Sequence, residues 1–130
     1  MRRRSLIYSA LVFIALLYIL HIAANIYYLY WQFWWFDVLN HFLAGFAGGL
    51  ATYWVLFHSG IAFEDFPGRG TAILAVFLSV MAVGVSWEIF EYWLGVTDSH
   101  EEYFLDVAND LILDGSGAVL AAFLGLRKRT

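Results

Sequence analysis

Residues 87–93 have the sequence WEIFEYW and lie near the end of an apolar run from Thr71 to Gly95. A run of this length can cross a membrane as one helix, which needs about 20 apolar residues. An acidic side chain inside such a helix costs about 2.5–3.5 kcal/mol at mid-membrane, even on insertion-based scales. Glu88 and Glu91 are three positions apart and therefore share one helix face. This pair marks a candidate functional site, and the other helices are expected to supply its partners.

The composition is that of an integral membrane protein. The 130 residues are 62% hydrophobic, 20% aromatic and only 14% charged, whereas soluble domains are about 45–50% apolar and about 25% charged. The chain contains no cysteine, which excludes disulfides and thiolate metal ligands. Its basic residues form two short terminal clusters and one isolated arginine, so the charge pattern gives no indication of nucleic-acid binding.

Hydropathy and turn residues predict an all-α, polytopic membrane protein, a four-transmembrane-helix bundle that makes a single transmembrane domain. The predicted helices cover residues 5–30, 36–58, 71–95 and 103–126. An aromatic cluster at residues 27–36 is typical of the membrane–water interface and predicts a tight turn. Residues 59–70 are a polar loop, and residues 97–102 are a short acidic one. On the second helix, Gly45-x-x-x-Gly49 predicts the close approach of a neighbouring helix.

The positions of the basic residues orient this bundle. All seven lysine and arginine side chains lie near the N-terminus, in the 59–70 loop or near the C-terminus. With four helices these segments share one side, which the positive-inside rule assigns to the cytoplasm of the cell. Both termini are then cytoplasmic, in the plasma membrane, and the turns near residues 31–36 and 96–103 face outward. A three-helix topology would place the arginine-rich ends on opposite sides.

Polar side chains from three predicted helices are expected at one depth, in the outer half of the bilayer. At about 1.5 Å per residue, each lies roughly 6–10 Å inside a helix end. The residues at this depth are His41, Glu88, Glu91 and Asp110. No lysine or arginine lies at that end of the predicted bundle. Carboxylates this close together therefore require shared protons, water or a bound cation.

We predict an outward-facing pocket in which these residues have metal-binding and catalytic roles. A histidine with several carboxylates suits a divalent ion such as Zn, Mn, Mg or Ca. The predicted metal ligands are His41, Glu88, Asp106 and Asp110. The predicted catalytic residues are Glu88, Glu91 and His41, with one glutamate as the general base. The pocket is completed by Asp37, Asn109, Asp114 and Trp87.

Each of these acids also has a purely structural interpretation. Glu88 and Glu91 can be helix-end acids that reach the interface. Asp37 can stabilise the dipole at a helix start while accepting a hydrogen bond from His41. Asp106 can be a simple helix cap. The pattern is neither the Glu-x-x-His pair of di-iron bundles nor His-Glu-x-x-His, so the metal prediction depends on convergence rather than on a motif.

Three ordered motifs resemble a known family. Residues 36–46, FDVLNHFLAGF, resemble the D-x-x-x-H-F segment of VanZ-like membrane proteins and are closer still to the small YjdF-type proteins. In those proteins a Trp-Glu-x-x-Glu segment follows, as at residues 87–93, and then an Asp-x-x-x-Asp segment leads to Gly-Ala, as at residues 106–118. The resemblance covers residues 34–125 and implies a membrane location and a role at the cell envelope; VanZ itself is linked to glycopeptide resistance. VanZ proteins usually carry an arginine before the last helix, and this chain has none there.

Three functions are compatible with these patterns. The first is a metal- or proton-dependent envelope protein that acts on or binds a lipid or lipid-linked substrate. The second is a small cation or proton conduit, although the inner halves of the helices offer mainly Gly, Ala, Thr52 and Ser79 as a path. The third is a non-catalytic scaffold or partner-binding protein, and the glycine stripes are compatible with a homo-oligomer. Membrane lipid is the expected partner in each case, and whether the protein is an enzyme stays open at this point.

Overall fold

The computed structural model describes residues 2–95 and 103–129, with side chains for residues 4–95 and 103–128. The predicted acidic loop at residues 97–102 lies outside the described part. Within it the chain forms five α-helices and no β-strand. They are α1 Arg2–Ile26, α2 Leu29–Gln32, α3 Trp34–Phe57, α4 Arg69–Leu94 and α5 Tyr103–Arg129. The prediction of an all-α protein is confirmed for these residues.

Three of the helices are long and apolar enough to cross a membrane. These candidate spans are Arg4–Ile26, Arg69–Leu94 and Tyr103–Lys128, with mean hydropathies of 2.4, 2.1 and 1.4. The fourth long helix, α3, has 24 residues but is not among them. Its hydropathy is lowered by Asn40, His41 and several glycines, so length and composition alone give three spans.

The first helix ends at Ile26, before the predicted end near residue 30. Two residues later, Tyr28 has a left-handed backbone conformation with φ of 57°, and an α-helix of L-residues does not continue through such a position. The one-turn helix α2 follows, and the Gln32 side-chain amide donates to the Tyr27 carbonyl at 3.1 Å. The aromatic cluster therefore contains a turn and a short helix, where a tight turn was predicted.

Helices α3 and α5 pack at backbone distance. A side chain on Gly45 would collide with the backbone of Asp114. A Cβ on Gly49 would lie 2.8 Å from the Ala121 Cβ and 2.9 Å from the Ala118 Cα. The close approach predicted at Gly45-x-x-x-Gly49 is confirmed, and its partner is α5.

The basic side chains lie at one end of the bundle, and the acidic side chains of the helices lie at the other. One buried cluster contains Leu6, Tyr53, Ala72 and Leu126, so the N-terminal ends of α1 and α4 meet the C-terminal ends of α3 and α5. We call this the basic end because its helix termini carry Arg4, Arg69, Arg127 and Lys128. The acidic end lies opposite and is formed by the first turns of α3 and α5 and the last turns of α4.

Candidate metal-binding site

His41 lies at the centre of the acidic end, with a carboxylate at each ring nitrogen. Its Nε2 atom is 3.3 Å from the Asp110 Oδ2 and 3.7 Å from the Asp37 Oδ1. Its Nδ1 atom is 3.4 Å from the Asp114 Oδ1. The side chains of His41, Asp110 and Asp114 are 17%, 8% and 10% exposed, while Asp37 is half-buried.

Helical spacing and one glycine bring these four side chains together. Asp37 and His41 are four positions apart on α3, as are Asp110 and Asp114 on α5, so each pair projects from one face. Gly45, one turn after His41, allows the backbone of α5 to approach at Asp114. The two polar faces therefore meet where the helices are closest.

Helix α4 supplies a third side of the site. A Cβ on Gly84 would lie 3.0 Å from the Asp114 Oδ2, so this glycine leaves space for the carboxylate. One turn later, Glu88 is buried, with 6% of its surface exposed. Its carboxylate interacts electrostatically with Glu91 and His41. Glu88 therefore brings a carboxylate from α4 to the site.

Asp37, His41 and Asp110 could hold one divalent ion. One ligand atom from each lies within 4.8 Å of the others. The distances of 3.3 and 3.7 Å from Nε2 to the two oxygens are close to those between neighbouring ligands on an ion with bonds of about 2.0–2.2 Å. Asp114 occupies the other ring nitrogen, Nδ1. A carboxylate in that position holds the proton on Nδ1 and leaves the Nε2 lone pair for a metal.

The group of three overlaps only partly with the four metal ligands predicted from the sequence. His41 and Asp110 belong to the group of three, and Asp37, predicted only as a pocket residue, joins them. Glu88 lies beside the group. Asp106 is exposed one turn nearer the start of α5, because its four-residue spacing from Asp110 gives the same face but not the same depth.

Two further pocket residues lie on the outside of the helices. Asn109 is exposed, since one residue along a helix turns the side chain about 100° away from that of Asp110. Trp87 is also exposed. It packs near Phe90, with ring centroids 5.6 Å apart, and donates a hydrogen bond to the half-buried Glu91.

Sequence reasoning missed Tyr30, which connects α1 to the start of α3. The His21 Nδ1 lies 2.8 Å from the Tyr30 hydroxyl, and the Asn40 Nδ2 donates to the same hydroxyl at 2.8 Å. Asn40 is buried, and its Oδ1 has no hydrogen-bond partner among the described residues. Burial raises the pKa of the Tyr30 phenol, which keeps it protonated. The surrounding aromatic cluster hid this residue because its composition is that of an interfacial belt.

Comparison with known proteins gives a family and no function. A family model described as "Predicted membrane protein (DUF2238)" matches residues 1–130. The chain belongs to this family. Among curated proteins and solved structures, none matches the chain. The DUF2238 protein is therefore a membrane protein with apolar helices and a His/Asp group. The family description names neither VanZ-like nor YjdF-type proteins, so that resemblance remains an expectation from sequence.

Proposed function

We propose that the DUF2238 protein is a cell-envelope membrane protein that binds a divalent cation at Asp37, His41 and Asp110 and uses this site on a lipid or lipid-linked substrate. The observation that carries the proposal is that each ring nitrogen of His41 lies next to a carboxylate. Its Nε2 is 3.3 Å from Asp110, and its Nδ1 is 3.4 Å from Asp114. Within the described part of the chain, no lysine or arginine lies at the acidic end. A bound cation balances the carboxylates that surround this one imidazole.

We include α3 as a fourth span. Its 24 residues extend about 36 Å at 1.5 Å per residue, more than the hydrocarbon core of about 30 Å. Polar residues inside a span are tolerated when they face the bundle interior, and His41 faces α5. Four spans put both termini on the side of the basic end, which the positive-inside rule makes cytoplasmic. The metal site then opens toward the outer leaflet, and the whole chain is one transmembrane domain.

The ligand set narrows the choice of cation. Ca²⁺ and Mg²⁺ are bound almost wholly through oxygen, whereas an imidazole nitrogen suits zinc and other transition ions. One nitrogen with two carboxylates therefore favours Zn²⁺ or Mn²⁺. In this arrangement His41 is a metal ligand, and the catalytic role predicted for it from the sequence passes to a residue of α4.

Glu88 is the residue we assign as general base. It is buried, interacts electrostatically with His41 and does not belong to the group that can share one ion. A carboxylate next to a cation is positioned to take a proton from a water or hydroxyl group at that cation. Glu91, one turn further along α4, places a second carboxylate of like charge near Glu88 and accepts a hydrogen bond from the Trp87 indole.

A conduit for cations or protons has less support. A path from Asp114 toward the basic end meets the contact of Gly49 with Ala118 and Ala121, and then the fully buried Tyr53. Such packing leaves no row of polar groups or water for an ion to follow. The polar side chains are concentrated at one end, as a site requires and a conduit does not.

The test is metal content. The protein is purified in detergent, loaded with Zn²⁺ or Mn²⁺, desalted and analysed by mass spectrometry for bound metal. We expect about one ion per chain in the wild type and loss of that ion in Asp110→Asn. Asp106→Asn makes the same chemical change one turn away, at an exposed position, and is expected to retain the ion, as is Asp65→Asn in the loop. A wild type that binds no ion, or an Asp110→Asn variant that binds as well as the wild type, overturns the proposal.

A further inference from the structure

A second feature of the protein lies on the outside of the bundle, between α4 and α5. It is a groove of about 620 Å³. Helix α4 contributes Phe77 and Met81 to it, and α5 contributes side chains from Leu111 to Phe123. Phe77 lies over Gly115, where a Cβ would be 2.7 Å from the ring. The missing side chain lets the ring lie close to α5 and keeps the groove open.

The lining of the groove suits a hydrocarbon chain. Among the lining residues only Ser116 has a hydroxyl group, and that group donates to the Ile112 carbonyl at 2.7 Å. Helices that associate in membranes use small residues and hydrogen bonds across the contact. This surface instead exposes large side chains such as Leu120 and Phe123, which favours a flexible acyl chain over another helix.

One end of the groove is flanked by cationic side chains. Phe123 is followed one turn later on α5 by Arg127, which continues the same face. On α4, Arg69 lies eight residues before Phe77, at the N-terminal end of the helix and about 80° around the helix from it. Both arginines are exposed, and both lie at the basic end, far from His41.

The length of the groove matches one leaflet. From Leu111 to Phe123 it extends about 18 Å along α5, and Arg127 lies about 6 Å beyond it, at 1.5 Å per residue. Half of a hydrocarbon core of about 30 Å is roughly 15 Å. A lipid with its phosphate at the arginines would therefore place its chain along the groove.

We propose that this groove binds an anionic phospholipid, with one acyl chain between α4 and α5 and the phosphate at Arg69 and Arg127. Basic side chains near a membrane surface attract anionic lipids, and here two of them mark the end of an apolar recess of the right length. This site is separate from the metal site and does not depend on it. In the four-span topology the end of the groove nearest the arginines lies in the inner leaflet.

The first test is lipid preference. Detergent-purified protein is titrated with phosphatidylglycerol and, separately, with phosphatidylcholine that has the same chains, and bound lipid is counted by native mass spectrometry. We expect one saturable phosphatidylglycerol per chain, bound more tightly than phosphatidylcholine. Arg69→Gln and Arg127→Gln should each reduce that preference about fivefold, the factor that corresponds to about 1 kcal/mol per basic residue. Arg4→Gln, at the same end but on α1, is the matched control and should leave the preference unchanged.

The second test fills the groove. Val119→Trp places a large side chain among the lining residues and should abolish the saturable lipid, whereas Val83→Trp, at an exposed α4 position outside the groove, should not. The proposal would be refuted if the wild type bound the two lipids equally, or if a variant with both Arg69→Gln and Arg127→Gln kept the wild-type preference for phosphatidylglycerol. A lipid-free dimer that Val119→Trp disrupts would also refute it, because the groove would then be an interface between two copies.

Discussion

The two ends of the bundle differ in what fills the space between the same pair of helices. At the basic end, α3 and α5 meet through Tyr53, which is fully buried and whose ring lies 2.7 Å from where a Gly125 side chain would begin. At the acidic end, they meet through His41, Asp110 and Asp114, at 3.3 and 3.4 Å. Glycines allow the close approach in both places, but the contact is apolar at one end and ionisable at the other.

This difference separates the part that stabilises the fold from the part that we propose binds a cation. Helices inside a membrane are held together by van der Waals packing and close backbone approach rather than by removal of apolar surface from water, and the apolar basic end needs no ligand for such packing. Buried carboxylates cost free energy unless they are paired. A cation that binds only the folded protein at 100 times its dissociation constant would add about 2.7 kcal/mol. The stability of the acidic end should therefore depend on metal, and that of the basic end should not.

The largest expected effect comes from breaking the helix contact on which both ends depend. Gly45→Ala places a Cβ against the Asp114 backbone, whereas Gly48→Ala places one 3.9 Å from the Val80 Cγ2, an ordinary contact. Replacing glycine by alanine favours helix formation by about 1 kcal/mol at either position of α3, so the difference between the two variants isolates the collision. We expect Gly45→Ala to be less stable than Gly48→Ala by about 1–3 kcal/mol, as for other overpacked cores. Denaturant unfolding in detergent, followed by circular dichroism, measures this difference.

Equal unfolding free energies for the two glycine variants would mean that α3 and α5 can separate at no cost. The contrast between the two ends would then lose its structural basis. Loss of bound metal in Gly45→Ala, with retention in Gly48→Ala, would instead connect the same contact to the site.

The sequence predicted that a neighbouring helix approaches Gly45 and Gly49, but not that this helix is α5 or how far it slides along α3. Run length and the small-residue pattern at Gly45 and Gly49 are local signals, and the structure confirms the close approach they predict. Depth along a neighbouring helix is not local. It depends on how far α5 slides along α3, and that register is fixed by contacts such as that of Gly117 with the Phe42 and Phe46 backbone.

The register decides which of the carboxylates lie level with His41. Asp106 and Asp110 share a helix face, so spacing alone could not distinguish them; only the second lies level with His41. Asp37 has a sufficient structural role as a helix-start acid, which made its place in the group of three hard to predict. Tyr30 depends on the turn at Tyr28, whose left-handed backbone has no sequence signal as clear as a glycine.

A smaller effect is expected when the change is made at Asp114, which contacts His41 but is not one of the three proposed metal ligands. Asp114→Asn removes the charge at Nδ1 but leaves Asp37 and Asp110 at Nε2. Changing such an outer partner typically lowers metal affinity 10–100-fold, so we expect a reduction in that range for Zn²⁺ by isothermal titration calorimetry. Asp65→Asn, in the loop at the basic end, should bind as the wild type does.

The alternatives for Asp114 give distinct results. Complete loss of binding, as expected for Asp110→Asn, would make Asp114 a direct ligand. Unchanged affinity would leave it as a helix-packing acid, and the acidic end would then resemble the basic end in being structural at that position.

The smallest effect should come from Gly84, which touches the site only through Asp114. A Cβ there would lie 3.0 Å from the Asp114 Oδ2 and 3.2 Å from the Leu111 Cδ2, so Gly84→Ala should shift the carboxylate without removing it. We expect Zn²⁺ affinity to fall less than about 10-fold, which is the smallest loss typical of changing a residue that hydrogen-bonds to a metal ligand. Gly48→Ala is the matched control. In an Asp114→Ala background Gly84→Ala should have no further effect, because the oxygen it displaces is gone. A loss that persists in that background would have to act through Leu111 or through separation of α4 from α5, and Gly84 would then belong to the packing of the bundle.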